Sequence, residues 1–489
     1  MRRKITDYML YRWRFYLGYG AIGVTLVGLL VVAALYIPGA LSTSEMSAVV
    51  ASSAITFDHF DPAVMIQLPY HLLQQVSLIL FGVTNLSIKL PSLILGVGSA
   101  LGILLLLRSW FSANVAVLTT ILVITTSQFL AIAQSGTPSI VYVFWSVWLL
   151  VAALRVSRQD AHAGLWKIVL FSVAALSLYT PLSVYILVAL ASATVFHPHL
   201  RYLAKRAIKA RGKVAVASIC ALLLVVPLGI GIYMDPSLGL RLLGVPSTWP
   251  NITESAHALF NQYFNFLQPT TGTLMQPIYS LGPLLLIVLG LIRLFTANYT
   301  ARSYIIIAWT VLLVPVLLLN PDYTSVTFVP AMILMAMGVN ALLSSWYKLF
   351  PKNPYARIVG LVPLTILIGG MVVSGVGRYV YSYTYDPQTA GFFSHDLQLL
   401  NRDLRNSGQN DVTLIVSEFQ KPFYDVVAKH HNLQIVVSTS QKSMKLATYS
   451  IVTRDNYRTT LDKQIPYRIV TDGRAEFADR FYVYKTKQE

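Results

Sequence analysis

The sequence predicts an all-α polytopic membrane bundle of about 11 transmembrane helices, with two interfacial helices in its first outer loop and a small α/β domain at its C-terminal end. Three observations predict it. Of 489 residues 55% are hydrophobic and only 12% charged, half the charge of a typical soluble domain. The apolar residues fall in runs near the ~20 residues that a hydrocarbon core requires. The charges between the runs sort by sign, as the positive-inside rule demands. A net charge of +17 would suggest nucleic acid in a soluble chain; here it orients the protein in a bilayer, and no nucleic-acid partner is expected. The single cysteine, Cys220, excludes a disulfide framework and a Cys-based zinc site.

The first run, Leu17–Ile37, follows the basic segment MRRKITDYMLYRWRFY. It is too long for the core of a cleaved signal and reads as a retained helix. Further spans are Ile88–Leu107, Val115–Ile132, Ile140–Leu154, Leu165–Leu178, Leu182–Phe196, Val214–Met234, Ile278–Phe295, Tyr304–Leu319, Val326–Leu343 and Ile358–Val376. The spans beginning at Ile140, Leu165 and Leu182 are short and must recruit flanking residues.

One more apolar stretch, Pro62 to Gly82, decides the topology. If it crossed, the basic loops RYLAKRAIKARGK and YKLFPKNPYAR would face outward. If it stays in the outer interface, 20 of the 23 Lys/Arg before Tyr379 face the cytoplasm, leaving Lys89, Arg241 and Arg378 outside. Six of the 8 acidic residues in the same stretch then lie outside. Gln67, His71, Gln74 and Gln75 form a polar stripe on one face of this stretch, as an interfacial or cavity-lining helix requires. Met46, Val49, Val50 and Phe57 mark a second such helix just upstream. The expected protein is a multi-pass membrane protein with a cytoplasmic N-terminus and an extracytoplasmic C-terminal domain.

From Tyr379 the tail carries 14 Lys/Arg and 12 Asp/Glu. DVTLIVS, LQIVVS and TYSIVT read as short buried strands, with Glu418–Lys429 helical between them. Residues 1–378 thus form a transmembrane module and 379–489 a small α/β extracytoplasmic domain.

The chain has no phosphate loop, GxGxxG, HExxH, GxSxG or Asp-x-Asp motif. What remains is an outer rim of carboxylates with a few cations. Glu45 has two readings: the N3 residue of a Ser42-Thr43-Ser44-Glu45 capping box, or a general base, or a metal or substrate ligand, at the membrane surface. Asp58, His59 and Asp61 in FDHFDP form either a solvated turn before proline or a donor set for a divalent cation. His71 and Gln67 satisfy hydrogen bonds toward the bundle or touch substrate. Lys89 either snorkels or meets a lipid phosphate, and Arg241 is a second phosphate candidate in the loop Asp235–Gln276. No cofactor is required by these residues.

The stretches STSEMSAVV, QLPYHLLQQVSLILFGVTNLSIKLPSLILG, LLLLRSWFSANVAV and AIAQSGTPSIVY, in this order, resemble the integral-membrane GT-C glycosyltransferases, specifically the protein-mannosyltransferase and aminoarabinose-transferase group. The resemblance runs from Met1 to Ala153. It implies transfer of a sugar from a polyprenyl-phosphate donor to an extracytoplasmic acceptor, with the acidic pair acting at the acceptor or a bound metal. Ser44 stands where the pair has its first acid, leaving Glu45; Lys89 stands for an arginine; and Gln134–Ser139 carries neither charge of the matching loop. Catalysis is then expected from Glu45, with Asp58 or Asp61 as alternate base. Lys89, Arg241, His59, His71 and Gln67 are expected at the substrate. A transporter or lipid flippase is the rival reading, although those usually carry charge at mid-membrane and symmetric broken helices. A non-catalytic diverged member is the other.

Overall fold

The computed structural model describes residues 9–37, 39–55, 62–158, 163–208, 211–266, 276–296, 300–349, 354–407, 411–430, 434–439, 449–456, 465–473 and 478–485. Asp58, His59 and Asp61, and with them the FDHFDP segment, lie outside the described residues, as does Phe57.

Helix α1 (Met9–Tyr36) leads to a two-residue strand β1 (Leu41–Ser42) and to α2 (Thr43–Ser53). Helix α3 (Leu68–Phe81) starts at Gln67, whose left-handed backbone (φ 59°) turns the chain into it. At 14 residues α3 is ~21 Å long, short of the ~30 Å hydrocarbon core. Its polarity is inverted. Gln74, His71 and Ser77 are buried, while Leu73, Val76 and Leu80 are 47%, 53% and 68% exposed. An apolar face turned outward suits a helix lying against lipid, as expected from the polar stripe.

Helix α4 (Asn85–Trp110) is followed by α5 (Ala113–Ile124) and α6 (Ser127–Gln134), then α7 (Ser139–Arg158). The expected span Val115–Ile132 is corrected here: α5 and α6 form a pair bent by 64°. The break sits at Thr125-Thr126, where the Thr126 hydroxyl accepts from Phe129 N–H and caps α6. A side-chain cap in mid-run gives the freed backbone a partner and lets the chain turn. The bend brings Gln134 and Gly136 back toward the start of α4.

The remaining helices are α8 (Ala163–Ser177), α9 (Val184–Phe196), α10 (Pro198–Ile208), α11 (Arg211–Met234), α12 (Pro236–Leu243), α13 (Ile252–Phe264), α14 (Leu281–Thr296), α15 (Ala301–Leu319), α16 (Phe328–Leu349) and α17 (Pro354–Tyr385). Among the described residues, 7 helices are long and apolar enough to cross a membrane, and the bent pair makes 8. Helices α8, α9 and α14 are apolar but shorter, so the eleven runs expected from sequence include three below spanning length. Burial orders the bundle. Within α16, α7 and α4, 72%, 61% and 50% of the apolar window is buried, against 17% for α1, α11 and α17; the first three form the centre and the last three its lipid-facing margin. Helices α14 and α16 approach closely because Gly290 faces the Leu334 carbonyl and Gly338 the Leu286 carbonyl, where a Cβ would collide.

Helix α17 runs on to Tyr385, and after the one-turn α18 (Pro387–Ala390) β2 (Phe393–Ser394) pairs antiparallel with β1. Then come α19 (Asp396–Ser407), β3 (Asp411–Ile415), α20 (Lys421–His430), β4 (Gln434–Ser438), β5 (Tyr449–Thr453), β6 (Arg468–Thr471) and β7 (Asp479–Lys485). The three strands and the helix expected from sequence are present, and β6 and β7 complete a five-stranded sheet of order β4-β3-β5-β7-β6. Strand β3 is parallel to β4 and β5, and β7 antiparallel to β5 and β6. Arg480 clamps Asp396 in a two-bond fork at 2.6 and 2.7 Å, tying β7 to α19.

This sheet domain does not hang free. Leu397, Leu400, Leu404 and Phe423 share one apolar core with Val49 of α2, Leu78 of α3 and Ile88 of α4. The interfacial helices therefore lie between the bundle and the C-terminal domain, all at the end where α4 begins.

Candidate functional site

The site at that end is built on Glu45 and Lys89. Ser42 caps α2, and Glu45 completes the capping box by accepting the Ser42 N–H at 2.7 Å through Oε2. Its other oxygen, Oε1, accepts the Gly136 N–H at 2.6 Å, 91 residues away in sequence. Lys89 Nζ lies 3.8 Å from Oε1, and both side chains are 0% exposed. The ammonium donates to Gln134 Oε1 at 3.1 Å. The pair is thus held by charge attraction while its hydrogen bonds go to neighbours, which is how a buried ion pair recovers its lost hydration.

Gln74 closes the assembly. Its amide donates to Ile88 O at 3.1 Å and to Gly136 O at 3.0 Å, and accepts the Ser52 hydroxyl at 2.6 Å. The loop after α6 is therefore gripped at Gly136 from both sides, its N–H by Glu45 and its C=O by Gln74. A Cβ at Gly136 would meet the Ile88 side chain and carbonyl and Glu45 Oε1, so only glycine admits this approach. Nearby, Tyr70 bonds Ser92 at 2.8 Å, and Ser92 bonds Thr137 O at 3.2 Å.

His71 joins from α3, its Nδ1 2.8 Å from Ser52 Oγ. Because the Ser52 proton goes to Gln74 or to Ala48 O, Nδ1–H is the donor in this contact. Burial pushes His71 down to about 4, so the ring is neutral at physiological pH.

Gln67 and Arg241 belong to a different cluster. Gln67 donates to the Tyr142 hydroxyl at 3.4 Å, and Tyr142 meets Tyr323 edge to face at 6.1 Å between centroids. Burial and Asp322 raise the Tyr323 phenol while Arg241 lowers it, so both charges act on that ring. Arg241 and Asp322 are exposed. The structure thus brings Glu45 and Lys89 together with His71 close by, and sets Gln67 and Arg241 at a neighbouring aromatic pair. Sequence reasoning missed Gln134, Gly136, Gln74 as a clamp, and Tyr142 and Tyr323. The Gln-Ser-Gly-Thr-Pro-Ser loop did carry a signal, since a polar run after an apolar helix needs buried partners.

A divalent cation at Glu45 does not fit these residues, because both carboxylate oxygens are already committed to backbone N–H groups beside a lysine. Among the described residues no three His, Cys, Asp or Glu side chains converge on a cation position. The two positions of the expected acidic pair also differ in access: Ser44 is exposed and Glu45 enclosed.

Breaking the pair leaves a buried charge alone, so Glu45→Gln and Lys89→Met should each cost about 3–5 kcal/mol. The Glu45→Gln/Lys89→Met double variant should cost less than either. A double-mutant cycle on thermal stability in detergent checks this; additive losses would deny the coupling. For His71 the unfolded ring takes a proton near 6.5 and the folded ring only near 4, so stability rises with pH across that window. About 3 kcal/mol should be lost between pH 7 and pH 4, and a pH series of unfolding midpoints for His71→Gln should be flatter than for the parent.

Residues 68–230, a third of the chain, match the family model of dolichyl-phosphate-mannose-protein mannosyltransferase. Among curated proteins no sequence matches. In structure the chain is similar to ArnT from Cupriavidus metallidurans bound to undecaprenyl phosphate, with a TM-score of 0.53 at 12% identity, covering 95% of this chain and 97% of that one. It is also similar to the oligosaccharyltransferase AglB from Archaeoglobus fulgidus in complex with an inhibitory peptide and a dolichol-phosphate, with a TM-score of 0.53 at 11% identity over 91% of this chain and 70% of that one. With its interfacial helices between bundle and sheet domain, the chain shares the overall fold of these two proteins.

Proposed function

We propose that this protein is a membrane glycosyltransferase that takes a hexosyl or pentosyl unit from a polyprenyl-phosphate donor and passes it to an extracytoplasmic acceptor in cell-envelope glycan or glycoprotein synthesis. The observation that carries this reading is the end-to-end fold match to ArnT holding undecaprenyl phosphate, supported by AglB holding dolichol-phosphate. In this reading the N-terminus is cytoplasmic, and α2, α3 and the C-terminal domain face the outside of the plasma membrane. The sign separation of the loop charges supports that orientation.

The chemistry needs a base for the acceptor hydroxyl and a cation for the departing phosphate. The hydroxyl oxygen bonds the anomeric carbon, the bond from that carbon to the phosphate oxygen breaks, and the proton passes to a carboxylate. Glu45 is spent on backbone donors, so the base falls to Asp58 or Asp61, in the segment that joins α2 to α3, with His59 beside them. Arg241, exposed next to Tyr323, is the accessible cation for the phosphate. Lys89 and Glu45 act by fixing the loop at Gly136 and the seat of α2 and α3.

A second reading, a non-catalytic member of the superfamily, is favoured by one observation: the enclosed acid of the pair is kept and the exposed one is serine. Purified protein in vesicles with polyprenyl-phospho-sugars separates the two. The first reading expects donor consumption, with Asp58→Asn or Asp61→Asn slowing it by roughly 10²–10⁴-fold at unchanged thermal stability. An intact parent that consumes none of the donors supplied supports the second, and full activity in both aspartate variants removes them from the mechanism.

A further inference from the structure

At the opposite end of the bundle two cavities meet at one arginine. Trp110 closes α4, 21 residues beyond Lys89, so this end lies ~30 Å from the Glu45–Lys89 pair. The first cavity, about 200 Å³, is walled by apolar side chains of α7, α8, α9, α10 and α15. The second, also about 200 Å³, has a mixed wall and lies between α14, α15 and α16, with Arg293, Thr300, Ser303 and Asn340 beside Phe111 and Met337. Arg302 lines both. Its guanidinium donates to Trp110 O at 2.9 Å and rests over the Phe111 ring at 4.8 Å, which fixes it between the two spaces. Among the described residues Arg293 reaches Ser345 Oγ, at 3.4 Å.

Neither arginine has a carboxylate partner among the described residues. No described Asp or Glu lies on the segments that meet at this end. Two guanidinium groups at the start of α15, with no carboxylate partner among the described residues, suit an anion. The adjoining apolar cavity says that the anion carries a hydrocarbon chain. Helix α10 agrees. Leu200, Leu203, Ala204 and Ala207, at helical spacing, line the apolar cavity, while Arg201, Lys205 and Arg206 are exposed on its other side. No residue of α10 is buried, as befits a basic amphipathic helix lying in a headgroup layer.

We propose that this double cavity is a binding site for an anionic phospholipid of the leaflet on that face, its phosphate on Arg293 and Arg302 and one acyl chain in the apolar chamber under α10. The phospholipid is a different ligand from the sugar donor and sits on the other face, so the site stands whether or not the transferase reading does.

Native mass spectrometry of the detergent-purified protein tests it, titrating phosphatidylglycerol, phosphatidylcholine, undecaprenyl phosphate and inorganic phosphate in separate arms. Phosphatidylglycerol should be retained at least tenfold better than phosphatidylcholine, and inorganic phosphate should not displace it. Arg293→Gln, which gives up only the weak Ser345 contact, should reduce retention about tenfold, as should Arg302→Gln. Ala204→Trp, which fills the apolar chamber and leaves the charge unchanged, should do the same and so separates a site from general attraction to a basic face. Equal retention of the two phospholipids, or retention unchanged in Arg293→Gln and Ala204→Trp, overturns the proposal. Tighter retention of undecaprenyl phosphate that phosphatidylglycerol cannot displace overturns the choice of ligand.

Discussion

One enclosed ion pair sets the terms for the rest of this structure. A carboxylate and an ammonium removed entirely from water each demand compensating bonds, and the cost of leaving either unmet is several kcal/mol. The donors and acceptors that meet this demand come from distant parts of the chain: Ser42 at the start of α2, Gln134 and Gly136 after the bent pair, and Lys89 at the start of α4. Gln74 then locks α3 onto the same loop. The segment from β1 to α3 is held down by this polar network on its inner side, with apolar side chains of α3 turned away from the protein. That explains the inverted polarity of α3, whose Gln74 points inward and whose Leu73, Val76 and Leu80 point out.

Much of the architecture was legible because the membrane imposes a simple rule of length and polarity. The long apolar runs, the interfacial nature of 62–82 and the strands of the tail all follow from periodicity and charge. The break in the third run was harder to see. Thr125 and Thr126 look like tolerated hydroxyls within a hydrophobic stretch, and only the capping bond to Phe129 N–H reveals a turn. The site was legible to the same extent. The capping box at Glu45 could be read from four residues, and it is present. The partnership with Lys89 could not, because it depends on Gly136 arriving by way of that bend. Arg241 and Gln67 were singled out for charge and polarity, and what joins them is a pair of tyrosines 181 residues apart that no local pattern links.

The two ends of the bundle carry opposite solutions to the problem of charge near lipid. At the end bearing the sheet domain, Lys89 is neutralised inside the protein by Glu45. At the other end Arg293 and Arg302, without acidic partners among the described residues, stand beside an apolar chamber, and α10 presents its basic face outward. The C-terminal sheet domain shares its core with α2, α3 and the start of α4, so its seating and the shape of the outer site are one packing problem. Changes in Leu397, Leu400 or Phe423 act on both.

The central claim is that Glu45 and Lys89 are sealed from solvent in the folded protein. Amine-directed labelling of the native protein, followed by peptide mass spectrometry, tests it most directly. Lys89 should remain unmodified while Lys205 on the exposed side of α10 reacts readily. Modification of Lys89 at the rate of Lys205 would contradict the account, since an ammonium open to reagent cannot be the enclosed partner around which the outer loop is built.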